Sequence, residues 1–132
     1  LKQADVLINQ KPNRTLALAD SARRLAQARR LPQLEVKALA LAATAAQLRA
    51  DFPKATALAQ EAYTLAQKQG VPSLGQWQAA NLLVGMAYAR QDWAETIKYA
   101  REQVTIAEVL GKPHLLAWSY NNLGSAQSEA HQ

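Results

Sequence analysis

The sequence predicts an all-α protein built as a stack of antiparallel helical hairpins, an α-solenoid. A Leu-Ala or Ile-Ala pair recurs at positions 25–26, 65–66 and 106–107, and prolines recur as Pro32, Pro72 and Pro113. Repeats with periods of 20–50 residues are typical of stacked supersecondary units. Apolar residues make up 49% of the chain and aromatic residues only 6%, which favours closely packed alanine-rich helices. No segment alternates with period two over a useful length, so we expect no strands.

Residues that start or stop helices divide the chain into seven predicted helices. Their expected ranges are 2–10, 14–30, 34–49, 53–69, 74–90, 93–110 and 114–129. Asn13 and Arg14 follow Pro12 and suit the start of the second helix. Asp51, Ser73 and Asp92 are suited to cap helix N-termini. Asp92 and Ser73 are each followed three residues later by Glu95 or Gln76, the spacing of a capping box.

Gly70 and Gly111 lie where helices should end in the left-handed conformation, and the prolines that follow them prevent continuation. The second, fourth and sixth predicted helices share one stripe of mostly small residues with helical spacing. The stripe consists of Thr15, Ala19, Ala22 and Ala26, then Ala55, Ala59, Ala62 and Ala66, then Thr96, Ala100, Gln103 and Ala107. Leu18, Leu58 and Tyr99, with Leu25, Leu65 and Ile106, are expected to widen it. We therefore expect each hairpin to need a neighbour to bury its face.

The pattern resembles the tetratricopeptide repeat. The segments 84–88 with 89–93, 121–126, and a degenerate copy at 42–46 with 50–52 look like successive copies of its motif, with one glycine lost before Asp92. Ala43, Gly85 and Gly124 match the small residue against which, in that family, the second helix packs. The unit is longer than the usual repeat of about 34 residues. It resembles the long variants of kinesin light chains and of sensor regions in bacterial regulators and kinases, especially at 107–112 and 119–124.

The resemblance implies a right-handed superhelix whose first helices line a concave surface that receives a peptide. The residues expected to bind the partner are Lys37, Thr44, Gln47, Met86, Arg90, Trp118, Asn121 and Ser125. Ser128 and Glu129 should face the same way. Arg90 is suited to pair with a carboxylate, and Asn121 to bond a peptide backbone in both directions. Met86 and Leu82 offer an adaptable apolar floor. The alternative is that Leu82 and Leu48 are core residues and that the polar side chains are only solvated.

The sequence offers little for catalysis, so we expect no enzyme activity, no metal site and no cofactor. The chain has no cysteine, and its two histidines, His114 and His131, have no spaced partners of the kind a metal site requires. No phosphate loop or nucleophile motif is present. Capping explains Asp51 and Asp92. Packing at the hairpin turn explains Trp93. For Trp77 and Trp118 two interpretations stand, packing against neighbouring helices or lining of the groove.

The expected organisation is a single repeat domain excised from a longer chain: a partial repeat at 1–31, repeats at 32–71 and 72–112, and the first helix of a further repeat at 113–132. We predict a non-enzymatic protein-interaction module, the sensor or scaffold part of a larger bacterial signalling or regulatory protein. The predicted location is cytoplasmic, with the periplasm left open. No apolar run approaches the length of a membrane span.

Two alternative functions follow from charge and from the last helix. Residues 1–54 carry a net charge of +6 and residues 55–132 a net charge of −1. The basic helix at 14–30 is therefore a candidate surface for nucleic acid, although a solvated face is the simpler interpretation. The last helix carries Leu116 and Leu123 on a side that no later helix covers. That side predicts self-association by end-to-end stacking.

Overall fold

A computed structural model shows an all-α chain. It describes the backbone of residues 2–131 and the side chains of residues 11–131, and that part of the chain contains no strand. The helices are α1 (Lys2–Ala28), α2 (Pro32–Leu48), α3 (Phe52–Gln69), α4 (Leu74–Ala89), α5 (Trp93–Leu110) and α6 (Pro113–Ala130). We call α2, α4 and α6 the first helices and α1, α3 and α5 the second helices, after their order in the predicted hairpins.

The prediction of seven helices is wrong at one place, because the expected break at Pro12 does not occur. Residues predicted to form two helices, 2–10 and 14–30, belong to the single helix α1, with Pro12 inside it. An interior proline costs a helix about 3 kcal/mol. Pro12 is buried, so packing of its ring offsets part of that cost, and proline's fixed φ is itself helical.

The three predicted N-caps, Asp51, Ser73 and Asp92, are confirmed. The Asp51 carboxylate accepts a hydrogen bond from the backbone N–H of Lys54 at 3.4 Å, and the Asp92 carboxylate accepts one from that of Glu95 at 3.2 Å. The Ser73 hydroxyl accepts one from the backbone N–H of Gln76 at 3.1 Å. The Glu95 side chain does not complete the expected capping box, because its carboxylate pairs with Arg90 instead.

Left-handed residues end the helices, as predicted for Gly70 (φ 72°) and Gly111 (φ 64°). Three other helix ends use non-glycine residues in the same conformation, namely Arg30, Ala50 and Gln91, with φ of 55°, 61° and 61°. After each of them, a backbone N–H donates to a carbonyl five residues earlier, for example Asp92 to Ala87 at 3.0 Å. This is the Schellman arrangement. Gln91 therefore takes the left-handed position directly before the capping Asp92.

Each helix contacts the next one along the chain and also the next but one. Sequential neighbours pack throughout, and α2 also packs against α4. Arg23 of α1 forms an ion pair with Glu61 of α3. The rings of Tyr63 in α3 and Tyr99 in α5 meet edge to face at 5.6 Å. Trp77 of α4 donates a hydrogen bond from Nε1 to Ser119 Oγ of α6 at 2.9 Å.

Small residues fill the core, as the stripe predicts. Its members in α3 and α5 are all 0–1% exposed, including Thr96 and Gln103. The exposure of the larger residues that flank the stripe differs from helix to helix. Tyr99 and Ile106 are 4% exposed, and Leu58 and Leu65 pack partly against the core. Leu18 and Leu25, at the corresponding positions of α1, are 69% and 48% exposed. The prediction that they join the packed stripe is therefore wrong for α1, because none of the helices that the structure describes packs on this face of α1.

The exposure pattern corrects the expected role of two glycines. Ala43 is fully buried, as predicted for the small residue of the motif. Gly85 and Gly124 instead face open space, with nothing within 4 Å of a Cβ added at either. The tight contact lies elsewhere: a Cβ on Gly75 would stand 2.9 Å from Val36 Cγ1. Gly75 is thus the residue that allows α4 to approach α2 closely.

Candidate functional site

A groove of about 730 Å³ lies among the C-terminal ends of α2 and α4 and the first half of α3. Its lining combines apolar and small residues with a few polar ones. The lining residues are Gln47, Phe52, Pro53, Thr56, Ala57, Gln60, Gly85, Met86, Ala89 and Arg90. Three of the predicted binding residues, Gln47, Met86 and Arg90, therefore meet in one place. We call this the Met86 groove.

Met86 forms the floor of the groove. Its side chain is 5% exposed, and its Sδ accepts a hydrogen bond from Thr56 Oγ1 of α3 at 3.0 Å. Met86 thus lies deeper than a freely exposed binding residue would. Methionine is unbranched and polarisable, so it adapts to apolar groups of different shape that enter from above.

Phe52 supplies the exposed apolar wall. It is the first residue of α3, directly after the capping Asp51 and before Pro53, and it remains 53% exposed. Ala57 and Ala89 on the facing helices are exposed and small, so they leave the space between the walls open. The site combines an apolar interior with polar side chains at its edge, which is the usual composition of a ligand-binding cleft.

Arg90 supplies the charge at the rim. It is the C-cap residue of α4. Its Nη2 lies 2.7 Å from Glu95 Oε2, with the two side chains 50% and 37% exposed. The ion pair holds the guanidinium in place but uses only part of its five N–H donors. A carboxylate entering the groove can be bound by the remaining donors, in competition with Glu95.

A second groove of about 420 Å³ repeats the first between α4 and α6. Its lining residues are Tyr88, Tyr120, Asn121, Gly124, Ser125, Ser128 and Glu129. Four of these residues correspond to residues of α4 that line the Met86 groove. They are Gly124, Ser125, Ser128 and Glu129, which correspond to Gly85, Met86, Ala89 and Arg90. The separation in sequence is the same for all four pairs and equals that between the first residues of the two helices, Leu74 and Pro113. The sequence predicted Asn121, Ser125, Ser128 and Glu129 on this face, and all four line the groove. We call this the Asn121 groove.

The two grooves differ in chemistry although their lining residues on α4 and α6 occupy corresponding positions. Ser125 stands where the first groove has Met86, and Glu129 stands where it has Arg90. The apolar floor and positive rim of the Met86 groove therefore become a polar floor and a negative rim. Any partner that spans both grooves meets opposite charges at the two rims.

The remaining predicted residues lie outside both grooves. Lys37 and Thr44 are on the exposed face of α2. The Thr44 hydroxyl donates to the carbonyl of Ala40 at 3.0 Å. Trp118 is 57% exposed and meets the buried Trp77 edge to face at 6.4 Å. Trp77 is thus a packing residue, and the structure does not bring Trp118 to the other predicted residues.

Sequence reasoning missed the contribution of α3. Phe52, Thr56 and Gln60 line the Met86 groove from a second helix, whereas only first helices were expected to line the binding face. The exposed Phe52 beside Pro53 was an available signal, since it is the one phenylalanine of the chain. No sequence pattern indicated Gln60, whose side chain also accepts a hydrogen bond from Tyr99 Oη of α5 at 3.0 Å.

A part-buried triangle of amides, with Gln103 fully buried, connects α4, α5 and α6. Asn122 Nδ2 donates to Asn81 Oδ1 at 3.1 Å and to Gln103 Oε1 at 2.9 Å. Gln103 Nε2 donates to Asn81 Oδ1 at 3.1 Å. The three side chains satisfy one another, so they fix the packing of the helices rather than offer a binding site.

Tyr63 lies in a polar contact between α3 and α5. Its hydroxyl donates to the Glu102 carboxylate. Burial raises the pKa of Tyr63 above the usual tyrosine range, and the bonded carboxylate raises it further. The neutral hydroxyl is a structural donor here, because a phenolate would be buried beside another negative charge.

Within the described residues, no group of three or more His, Cys, Asp or Glu side chains is arranged to hold a metal ion. None of the helices, over the residues that the structure describes, has the length and hydropathy needed to cross a membrane. Comparison with protein-family models and with curated proteins finds no match to this sequence.

Proposed function

We propose that this chain is a non-catalytic protein-interaction module, a tetratricopeptide-like right-handed solenoid that binds a peptide or a segment of a partner protein. Contacts from each helix to the next and to the next but one support a repeating stack. Two grooves that occupy corresponding positions of that stack support a repeated binding surface. In this proposal the module is the sensor or scaffold part of a larger bacterial regulatory protein.

The Met86 groove is the observation that carries the proposal. Its volume lies within the range of about 300–1,000 Å³ that is common for ligand sites. The apolar floor and the exposed Phe52 ring suit an apolar side chain, and Arg90 at the rim suits a carboxylate. The expected ligand is therefore a segment with an apolar residue next to an acidic one.

The rim charges extend this expectation along the stack. A segment that continues from the Met86 groove into the Asn121 groove passes from Arg90 to Glu129. We therefore expect an acidic residue at the first groove and a basic residue at the second, with polar rather than apolar contact at Ser125. Segments with the opposite order of charges would place like charges together at both rims, which weakens binding.

Selection from a displayed library of random linear peptides tests the proposal. Enriched peptides are measured by fluorescence anisotropy against the wild type, Ala57→Glu and Ala17→Glu. Ala57 is exposed in the groove and Ala17 is exposed on α1 outside it, so the two variants add the same charge in different places. Ala57→Glu should weaken binding by at least about tenfold, which corresponds to 1.4 kcal/mol, and Ala17→Glu should leave it unchanged.

Arg90 is tested by pairing a protein change with a peptide change. Arg90→Ala should weaken binding of acidic peptides, and the loss should disappear when the peptide's acidic residue is replaced by alanine. The groove proposal is wrong if no peptide is enriched over a control protein, or if binding does not respond to Ala57→Glu.

Fewer observations support the alternative proposal, that the basic surface of α1 binds nucleic acid. Arg23 pairs with Glu61 of α3, and Arg24 Nη2 lies 3.0 Å from Asp20 Oδ2. Two of the arginines on the basic helix therefore already have carboxylate partners.

A further inference from the structure

A cavity of about 210 Å³ lies between α1, α2 and α3, where the three helices meet. Three leucines and three alanines form its apolar wall, and three charged side chains complete its lining. An apolar cavity of about 150 Å³ is large enough to bind benzene, so a ring that carries a small polar group fits here. We call it the Leu58 cavity; its leucines are Leu16, Leu39 and Leu58, and its charged residues are Asp20, Arg23 and Lys54.

Aromatic rings fill the corresponding space one repeat later, between α3, α4 and α5. Leu58 corresponds to Tyr99, and Arg23 corresponds to Tyr63, since each follows the third residue of its small-residue stripe. The rings of Tyr63 and Tyr99 meet edge to face at 5.6 Å, and the two residues are 3% and 4% exposed. The helix arrangement therefore allows this space to be closed, and the side chains of the first copy leave it open.

One positive charge at the mouth of the Leu58 cavity has no carboxylate partner. Arg23 forms an ion pair with Glu61. Asp20 Oδ2 lies 3.0 Å from Arg24 Nη2, so the charge of this carboxylate is balanced as well. Lys54 is exposed and forms no ion pair with any residue that the structure describes. The mouth of the cavity therefore favours an anion.

Arg23 adds a hydrogen-bond donor that is not used. Its Nη2 donates to the Glu61 carboxylate. Its Nε is buried and has no hydrogen-bond partner among the described residues. A buried donor without an acceptor is unfavourable, because it has lost its bond to water and gained no other. A ligand oxygen at the mouth of the cavity would satisfy this donor.

We propose that the Leu58 cavity binds a small monocarboxylic acid with a compact apolar body, of about the size of benzoate. The apolar body lies among Leu16, Leu39 and Leu58, and the carboxylate lies at the mouth between Lys54 and Arg23. A carboxylate supplies both the negative charge that Lys54 lacks and the acceptor that the Arg23 Nε lacks. The module thus combines a peptide groove with a separate site for a small organic acid.

Three probes with the same ring test the charge preference of the cavity. They are benzoate, neutral benzyl alcohol and cationic benzylamine, each titrated into the whole chain and followed by ligand-observed NMR. Benzoate should bind with a dissociation constant on the order of 1 mM or lower. Benzyl alcohol should bind at least about tenfold more weakly, and benzylamine should not bind measurably.

Two variants remove the groups that hold the carboxylate. Lys54→Gln removes the unpaired charge, and Arg23→Lys keeps a positive charge beside Glu61 but removes Nε. Lys54→Gln should weaken benzoate binding by at least about tenfold, and Arg23→Lys should also weaken it. Lys68→Gln is the matched control, because Lys68 is an exposed lysine of the same helix α3 that does not line the cavity. It should bind benzoate as the wild type does.

Filling the cavity should abolish binding of both benzoate and benzyl alcohol. Leu58→Tyr introduces the ring that Tyr99 carries at the corresponding position. Ala42→Leu is a second filling variant, since Ala42 also lines the cavity and its counterpart in α4 is Leu83. Circular dichroism and thermal unfolding check that each variant keeps its helices.

Four results would overturn the inference. They are a wild type that does not bind benzoate, benzylamine that binds as tightly as benzoate, a folded filling variant that still binds benzoate, and Lys54→Gln or Arg23→Lys binding it as tightly as the wild type. Peptide binding at the Met86 groove is measured with other ligands and with Ala57→Glu, so failure of one proposal leaves the other intact.

Discussion

Replacing Gly75 by alanine should destabilise the protein, although alanine is the better helix former. Gly75 is buried near the start of α4. A Cβ at this position would lie 2.9 Å from Val36 Cγ1 and 3.7 Å from Val36 Cβ. Val36 is 1% exposed and β-branched, so it cannot rotate away into solvent. The added methyl group therefore forces α4 and α2 apart.

The expected magnitude is a balance of two effects. Overpacking a closely packed core costs about 1–3 kcal/mol. Replacing glycine in a helix gains about 0.5–1 kcal/mol. The difference between them is about 0–2.5 kcal/mol, so the free energy of unfolding should fall by about 1 kcal/mol. Gly85→Ala is the matched control: nothing lies within 4 Å of its added Cβ, so it should gain about 0.5–1 kcal/mol.

Urea unfolding followed by circular dichroism measures both variants. Combining Gly75→Ala with Val36→Ala removes the clashing methyl group, so the double variant should be more stable than the sum of the single effects by about 1 kcal/mol or more. The packing of α2 against α4 is refuted if Gly75→Ala stabilises the protein as Gly85→Ala does, or if the two substitutions are additive.

Three further predictions concern other contacts. Gln103→Leu should lower the free energy of unfolding by about 1–3 kcal/mol, because Asn81 and Asn122 lose a buried partner; an unchanged urea midpoint would contradict the amide triangle. Tyr63 has a raised pKa when folded, so its contribution to stability is complete below about pH 10, the unfolded value, and is lost as pH rises above it. As pH rises above about 10, the unfolding temperature of Tyr63→Phe should therefore fall less steeply than that of the wild type. Equal slopes of unfolding temperature against pH would argue against a buried hydroxyl. Gln91→Gly should raise the unfolding temperature, since glycine relieves roughly 1 kcal/mol of left-handed strain; a lowered temperature would contradict the assigned φ of 61°.

Local chemistry made the helix ends predictable. Asp51, Ser73 and Asp92 cap helices through contacts three residues away, and Gly70 and Gly111 adopt the conformation that glycine favours. These interactions depend only on neighbouring residues, so a single sequence contains them. The small-residue stripe was predictable for the same reason, because a helical face follows from spacing alone.

Features that depend on distant neighbours were not predictable. Gly75 and Gly85 are the same residue type in the same helix, yet only Gly75 meets another helix. Leu18 and Leu58 share a repeat position but differ in exposure, because α1 precedes α3 and nothing precedes α1 in the described chain. Pro12 stays within a helix although the local rule predicts a break.

The candidate site was predictable in part. The residues expected from the first helices divide between the Met86 and Asn121 grooves, apart from Lys37, Thr44 and Trp118. The contribution of α3 depends on how the hairpin turns place Phe52 beside Met86, which spacing does not determine. The ion pair of Arg90 with Glu95 likewise required coordinates, since the same glutamate also fits a capping box.

The central claim is that the Met86 groove binds a peptide, and one labelling experiment tests it directly. The chain contains a single methionine and a single phenylalanine, and both Met86 and Phe52 line this groove. Isotope labelling of these two residue types therefore gives two site-specific NMR probes. Titration with a selected peptide should shift the Met86 methyl and Phe52 ring signals together, and Ala57→Glu should abolish both shifts. Binding that leaves both signals unchanged would contradict the claim and place the ligand elsewhere on the protein.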